Sequence, residues 1–308
     1  MRSPVLFAVL AAFILDPAGF TGSRAGENGG HNGRFVIWAH SDIQPRKESE
    51  RKDYEAVISD VAVNFSGTGI TIVAGDIVQN KKGKDDGAYE WFLEARKAAG
   101  ISCWYEIAGN HDARNIPAFS LYLKKPIYYS VTFGNVTMLF ISDEDGRLHT
   151  KISDATFRWW EKKVIENQDR IIITVSHAPP AQSGLVPIPT FGTMSISDSR
   201  RFINVLQKYR VDLWLCGHLH IPSSWGFNEN RVKYMNNVQF VNVSRIRRDR
   251  GLHSESRFIY LEKNSNVMIV RTRDHNLKVF VPGREIKLEL KSPFIYDGSA
   301  PEIHLPEK

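Results

Sequence analysis

The stretch CWYEIAGNHD, residues 103–112, decides how this chain is read. Residues 103–107 have the length and aromatic, apolar character of a strand. The strand runs into Gly109-Asn110-His111-Asp112, which carries an amide, an imidazole and a carboxylate. The same grammar recurs along the chain. Residues 35–39 are followed by Asp42 and Gln44, and 70–74 by Gly75-Asp76. Residues 171–175 lead to His177, and 211–216 to Gly217-His218-Leu219-His220. Five strands thus deliver metal-capable groups at their C-terminal ends, the edge where open α/β sheets bind ligands. The glycines let the backbone turn and approach closely just before each group.

Between these strands the apolar spacing becomes helical. Tyr54, Val57, Ile58, Val61 and Ala62 share one helix face. Tyr89, Phe92, Leu93 and Ala99 share another, which Gly100 can terminate. Ser153 or Asp154 can cap a helix bearing Phe157, Trp160 and Val164, and Phe202, Val205, Leu206 and Tyr209 mark a fourth. Segments 128–133 and 136–141 flank Gly134-Asn135, a hairpin turn. Residues 232–281 read as antiparallel strands turning at Asn236-Asn237 and Asn264-Ser265-Asn266, and the chain after Pro293 reads as a loose polar tail. Helix alternating with strand, then a strand-rich end, predicts a mixed α/β domain.

The chain has 308 residues, of which 42% are hydrophobic, enough for a sizeable core. Arg2, the unbroken apolar run 5–15 and the small residues Ser23 and Ala25 form a signal-peptide pattern, with cleavage before Gly26. The reading is a signal peptide over 1–25, a flexible lead-in over 26–33, the main domain over 34–283 and a C-terminal strand and tail over 284–308. An exported protein, periplasmic or extracellular, is expected, with no transmembrane helix beyond the signal. Cys103 and Cys216 lie in strand-like runs and read as small buried hydrophobes rather than a disulfide. The formal net charge of +6 favours anionic partners. Arg245, Arg247, Arg248 and Arg250 form the densest basic run. It reads as a solvated face, with polyanion or substrate binding as the alternative, and lacks the interleaved aromatics of a nucleic-acid surface.

Carboxylate, amide and imidazole donors suit manganese, iron or zinc. Asp76 is placed to bridge two ions, which about 3.5–4 Å apart can clamp a phosphoryl group and activate water. Singly, a Gly-Asp turn or a histidine after a strand is ordinary. Their joint order carries the reading.

That ordered set, Asp42, Gly75-Asp76, Gly109-Asn110-His111-Asp112, His177 and Gly217-His218-Leu219-His220, resembles the calcineurin-like metallophosphoesterase superfamily from residue 35 to 220. The resemblance implies a four-layer α/β/β/α sandwich with two mixed β-sheets and the metal site at the strand C-terminal ends. It implies that Asp42, Asp76 and His220 bind one metal ion, that Asp76, Asn110, His177 and His218 bind a second, and that His111 protonates the leaving oxygen or holds the phosphate. A metal-activated water would then hydrolyse a small anionic phosphate ester, diester or monoester. The alternative is a non-catalytic metal- or phosphate-binding module with a decayed site.

The sequence departs from the family at Gln44, where a histidine is usual, so that position offers an amide oxygen or a hydrogen bond. Gln79 and Asn80 replace the aspartate and arginine of the protein phosphatase branch, and Gln79 also replaces the tyrosine of purple acid phosphatases. Neither phosphoprotein dephosphorylation nor a tyrosinate–iron chromophore is therefore expected. Without a carboxylate at 79, Asp112 is the candidate to orient His111. His40 shares the alternation of Asp42 and Gln44, with packing the leading role. Arg114 and His253 read as surface residues with a possible place in the cleft, and of Trp159 and Trp160 one packs while the other lies at the rim.

Overall fold

The computed structural model describes residues 33–80, 87–185, 194–248 and 251–306. The signal-peptide and lead-in readings over residues 1–32, part of the Pro-rich loop after Pro179, and Arg250 lie outside them. Among the described residues, no helix is long and apolar enough to cross a membrane.

The strands form two mixed sheets. In the first, β1 (Arg34–His40), β2 (Ile70–Val73) and β3 (Trp104–Glu106) run parallel. The antiparallel β10 (Glu255–Glu262), β11 (Val267–Asp274) and β12 (Val279–Glu289) extend it beyond β1. In the second, β4 (Tyr128–Phe133) and β5 (Val136–Ile141) form the expected hairpin across Gly134-Asn135. β6 (Ile171–Ser176), β7 (Leu213–Cys216) and β9 (Val238–Asn242) continue parallel to β5, with β8 (Glu229–Val232) at the edge.

Alternation along each strand sorts side chains into layers. On β1, Phe35, Ile37 and Ala39 point between the sheets, where they meet Phe140, Ile173 and Leu215. Val36 and Trp38 point outward, under α1 (Glu48–Asn64), α2 (Ala88–Ala95) and α3 (Ile116–Leu123). The second sheet's outer face buries Leu139, Trp214 and Phe240 against α4 (Asp154–Glu166) and α5 (Ser199–Leu206). Ser153 caps α4 by accepting the Thr156 amide at 3.3 Å, and Gly100 ends the turn after α2 with φ 70°. The fold is the expected four-layer α/β/β/α sandwich.

Three local readings change. The segment 232–281 is not uniformly antiparallel, because β9 pairs parallel with β7. The chain after Pro293 is no loose tail. Phe294 is fully buried between the sheets, and β13 (Glu302–His304) pairs with the edge of β4. Its sequence, EIH, is too short and polar to announce a strand, and an open sheet edge supplies the partner. Helix α3 had no reading in the sequence. Its cap is Asn115, whose side chain accepts the Ala118 amide at 3.2 Å, with Pro117 in the first turn.

Candidate active site

Parallel register brings the strand ends level. Ala39 faces Ile72 and His40 faces Val73. Past the strands, the Asp42 amide donates to the Gly75 carbonyl at 3.1 Å, and the Gln44 amide to the Asp76 carbonyl at 3.0 Å. In the other sheet the Gly217 amide donates to the His177 carbonyl at 2.8 Å. The sequence-predicted residues thus come from both sheets, three strand ends from the first and two from the second. They meet where the sandwich edges touch, and there the glycines act. At Gly75, with φ 88°, a Cβ would lie 2.6 Å from His177 Nδ1. At Gly217 it would lie 2.7 Å from an Asp42 carboxylate oxygen. Four site residues, Asp42, Asp76, His218 and His220, hold positive φ angles of 52–66°, the strain a functional site tolerates.

The predicted residues gather in two overlapping groups. In one, donor atoms of Asp42, Asp76 and His220 all lie within 4.8 Å of one another, and the Gln44 amide nitrogen is 3.3 Å from His220 Nε2. In the other, His177 Nε2 is 3.2 Å from Asn110 Oδ1 and 3.4 Å from Asp76 Oδ1, and the His177 and His218 rings are 4.9 Å apart. Asp76 belongs to both groups.

The imidazoles are oriented by backbone carbonyls. His177 Nδ1 donates to the Ala74 carbonyl at 2.8 Å, which leaves Nε2 facing the carboxylates. His218 Nε2 donates to the Leu148 carbonyl at 2.9 Å, which leaves Nδ1 as the ring nitrogen able to accept. Such outer bonds select the tautomer of a metal-binding histidine.

The donors fit cations better than a closed hydrogen-bond network. Asp42 Oδ1 lies 3.0 Å from His220 Nε2, yet this buried oxygen accepts no hydrogen bond. Gln44 Oε1 is likewise buried without a partner. Buried polar atoms rarely remain so unless something else binds them. Asp42 Oδ2, by contrast, is held by the Ser41 hydroxyl at 2.5 Å and the His218 amide at 3.0 Å, so Oδ1 is the oxygen presented to the site.

The charges are strongly linked. Burial opposes ionisation of Asp76, but the His177 and His111 side chains outweigh it and hold the carboxyl well below the usual range. Burial also works against a charged His177, but the Asp76 and Asp42 carboxylates push it up to about 10. Burial, and then the neighbouring His177 charge, push His218 down to about 3.

His111 sits beside these groups without joining them. Its Nε2 is 3.9 Å from Asp76 Oδ2, and its own amide donates to Asp76 Oδ1 at 2.8 Å. The Gln79 carbonyl lies 2.9 Å from His111 Nδ1 and takes the orienting role proposed for Asp112. The Asp112 carboxylate turns away. It accepts the Gly109, Ile77 and Val78 amides and the Tyr89 hydroxyl at 2.9–3.1 Å, joining the β2 and β3 loops. Burial, then the nearby Asp76 charge, push it up to about 7.

His40 packs outward, stacked on Trp38 at 4.0 Å with Nε2 3.3 Å from the Tyr54 hydroxyl, because the positive φ at Asp42 breaks the alternation that would have aligned them. His253 binds Asp274 at 2.6 Å, away from the cleft. Arg114 is exposed, with Nη1 3.5 Å from the Gln79 carbonyl. Trp160 is buried, while Trp159 packs on Tyr128 at 5.0 Å. Both cysteines are free.

The groups open into a cleft of about 480 Å³, whose lining includes Arg46, Gln79, Trp225, Arg245, Arg247 and Leu252. The solvated-face reading of the basic run therefore fails for Arg245 and Arg247, which are buried and line the cleft. It holds for Arg248, exposed and 3.8 Å from Asp53. Sequence reading also passed over Asp143, whose carboxylate accepts the Glu144, Gly146 and Lys151 amides at 2.7–3.3 Å. It shapes the loop that brings Leu148 to His218. Its signal was the one used elsewhere, a polar residue directly after an apolar strand.

A two-sheet α/β sandwich with carboxylate, amide and imidazole groups meeting at its strand ends is the architecture of metallophosphoesterases. The chain belongs to the calcineurin-like phosphoesterase family, whose profile matches residues 35–222. It is 23% identical over 187 residues to the 3′,5′-cyclic adenosine monophosphate phosphodiesterase CpdA of Escherichia coli (strain K12). That match covers 59% of this chain and 65% of the relative, so the chain spans just under two thirds of its length. A probable cyclic nucleotide phosphodiesterase of Xenorhabdus bovienii (strain SS-2004) is 26% identical over 173 residues, 54% of this chain and 66% of that protein. Among solved structures, the purple acid phosphatase PPD1 of yellow lupin (Lupinus luteus) shares the fold. The TM-score is 0.62 at 13% identity, covering 85% of this chain and 55% of that one.

Proposed function

We propose that this protein hydrolyses phosphate esters with two divalent or mixed-valence metal ions, manganese, iron or zinc. Asp42, Gln44, Asp76 and His220 would hold one ion, and Asp76, Asn110, His177 and His218 the other. The observation that carries the proposal is Asp42 Oδ1, buried 3.0 Å from His220 Nε2 without a hydrogen bond, in a group that includes Asp76. Ions bound there supply Lewis acidity and lower the pKa of water to about 7.

The chain's own residues do the rest. The Gly75 and Gly217 turns hold the donors of the two sheets against each other. The Gln79 carbonyl fixes the His111 ring at Nδ1, so Nε2 is the atom that hydrogen-bonds a phosphate oxygen or hands a proton to the leaving oxygen. The cyclic-nucleotide phosphodiesterase relatives support a diester over a monoester. Gln44, in a position where the resemblance expects histidine, favours the second reading, a binding module that retains ions without chemistry.

The experiment is a metal analysis joined to an assay of bis(p-nitrophenyl) phosphate and p-nitrophenyl phosphate, with and without chelator. Chelator-sensitive turnover abolished by Asp76→Ala is the expected result. Full metal occupancy with no turnover of any ester would establish the binding module instead.

A further inference from the structure

We propose that Trp225 sets the substrate specificity of the cleft, its indole face seating a flat aromatic group on the part of the ester that stays with phosphorus. The inference rests on the phosphoesterase reading above and adds the class of ester, one whose retained group is an aryl ring or a nucleobase. The cleft is apolar as well as charged, for its lining includes Leu148, Met194, Leu219, Trp225 and Leu252. Trp225 is 49% exposed and Leu148 54%. Scattered singly, such exposure is ordinary. Gathered in the cleft that holds the metal-binding groups, these side chains form a surface for an apolar part of the substrate.

Their places in the chain put them beside the histidines. Leu219 lies between His218 and His220, and Trp225 comes five residues after His220. The Leu148 carbonyl is the acceptor of His218 Nε2 at 2.9 Å. The loop that bears Trp225 is braced. The Trp225 amide donates to the Pro222 carbonyl at 3.0 Å, and Asn228 Nδ2 donates to the same carbonyl at 3.0 Å. Glu255, buried on β10, accepts the Ser223 amide and the Ser223 hydroxyl, each at 2.7 Å. The Phe227 ring centroid lies 5.8 Å from the indole at 63°, an edge contact. An aromatic side chain on a fixed loop loses little conformational freedom when a ring stacks on it.

His111 receives the other organic group. The Gln79 carbonyl holds this ring at Nδ1, so the leaving oxygen belongs at Nε2. The two organic groups of a diester diverge from phosphorus. With one departing at His111, the other faces the apolar lining beside His218 and His220.

The test compares phenyl p-nitrophenyl phosphate with methyl p-nitrophenyl phosphate, using manganese-loaded full-length protein. In both, the oxygen of water bonds to phosphorus and the bond from phosphorus to the p-nitrophenyl oxygen breaks. The electron pair stays on that oxygen, which takes a proton from the water. Only the retained group differs, and comparing variants cancels the intrinsic reactivities of the two esters. The wild type is expected to show kcat/KM at least about tenfold higher for the phenyl ester. Trp225→Ala should cut the phenyl-to-methyl ratio about tenfold, the scale of stacking on one aromatic side chain. Trp225→Phe, which keeps a stacking face, should retain most of it. Should the alanine variant fail to fold, Trp225→Gln decides on the same ratio. A ratio unchanged by loss of the indole, or a fall shared equally by both esters, overturns this inference and leaves the phosphoesterase reading standing. Turnover of neither ester by the wild type overturns both.

Discussion

Loading the metal-free protein with manganese should expel a proton from His177. Its Nδ1 is committed to the Ala74 carbonyl, so Nε2, beside Asp76 and Asn110, carries the extra proton in the imidazolium and must lose it to bind an ion. The carboxylates push this imidazole up to about 10 from an ordinary value of 6.5. At pH 7 the proton must therefore be displaced across three pH units, a cost of about 4 kcal/mol against metal binding. Apparent affinity at this position should rise about tenfold per pH unit, hence about a hundredfold from pH 6 to pH 8. Calorimetric titration of manganese in two buffers of different ionisation enthalpy measures the proton count, expected near one for the ion at His177 and absent in His177→Gln. Affinity that stays flat from pH 6 to 8, with no proton released, would refute the reasoning. The same shift sets the stability of the metal-free protein. A folded-state pKa above the unfolded value contributes stability that is complete below about pH 6.5 and is lost as pH climbs through about 10.

His111→Ala should lower turnover by roughly a hundredfold or more, the scale of one general acid, with metal content unchanged by elemental analysis; loss of metal instead would make His111 a ligand. Gln44→His should tighten the ion shared by Asp42 and His220, because an imidazole nitrogen replaces an amide at a buried position, and an unchanged dissociation constant in a chelator competition would show that Gln44 faces away. Phe294→Ala should destabilise the fold by about 3–5 kcal/mol in urea unfolding, since the ring is fully buried between the sheets; a change below about 1 kcal/mol would mean the C-terminal segment does not pack there.

Much was legible in the order of residues because two simple rules operate along the chain. Hydrophobic periodicity marked most strands and helices, and each polar group sat directly after an apolar run. The Asp42, Asp76, Asn110, His177, His218 and His220 positions needed nothing more. Other features depend on partners distant in sequence. His40 follows alternation only until the backbone takes a left-handed turn at Asp42. Asp112 is spent on three amides of two different loops. Nothing in the short, polar sequence of β13 announces pairing with β4, which is decided by the edge that β4 leaves open.

By itself, then, the sequence determined a mixed α/β domain, its strand-end polar groups and the kinds of donor atom, because these follow from local periodicity and composition, while the four-layer sandwich was implied by the family resemblance. Tertiary structure alone decided which donors share a point in space, that the site straddles two sheets, and that Arg245 and Arg247 turn into the cleft. Those outcomes depend on strand register and on contacts between residues up to about two hundred positions apart, as between Asp42 and Arg247, and no local pattern encodes such distances.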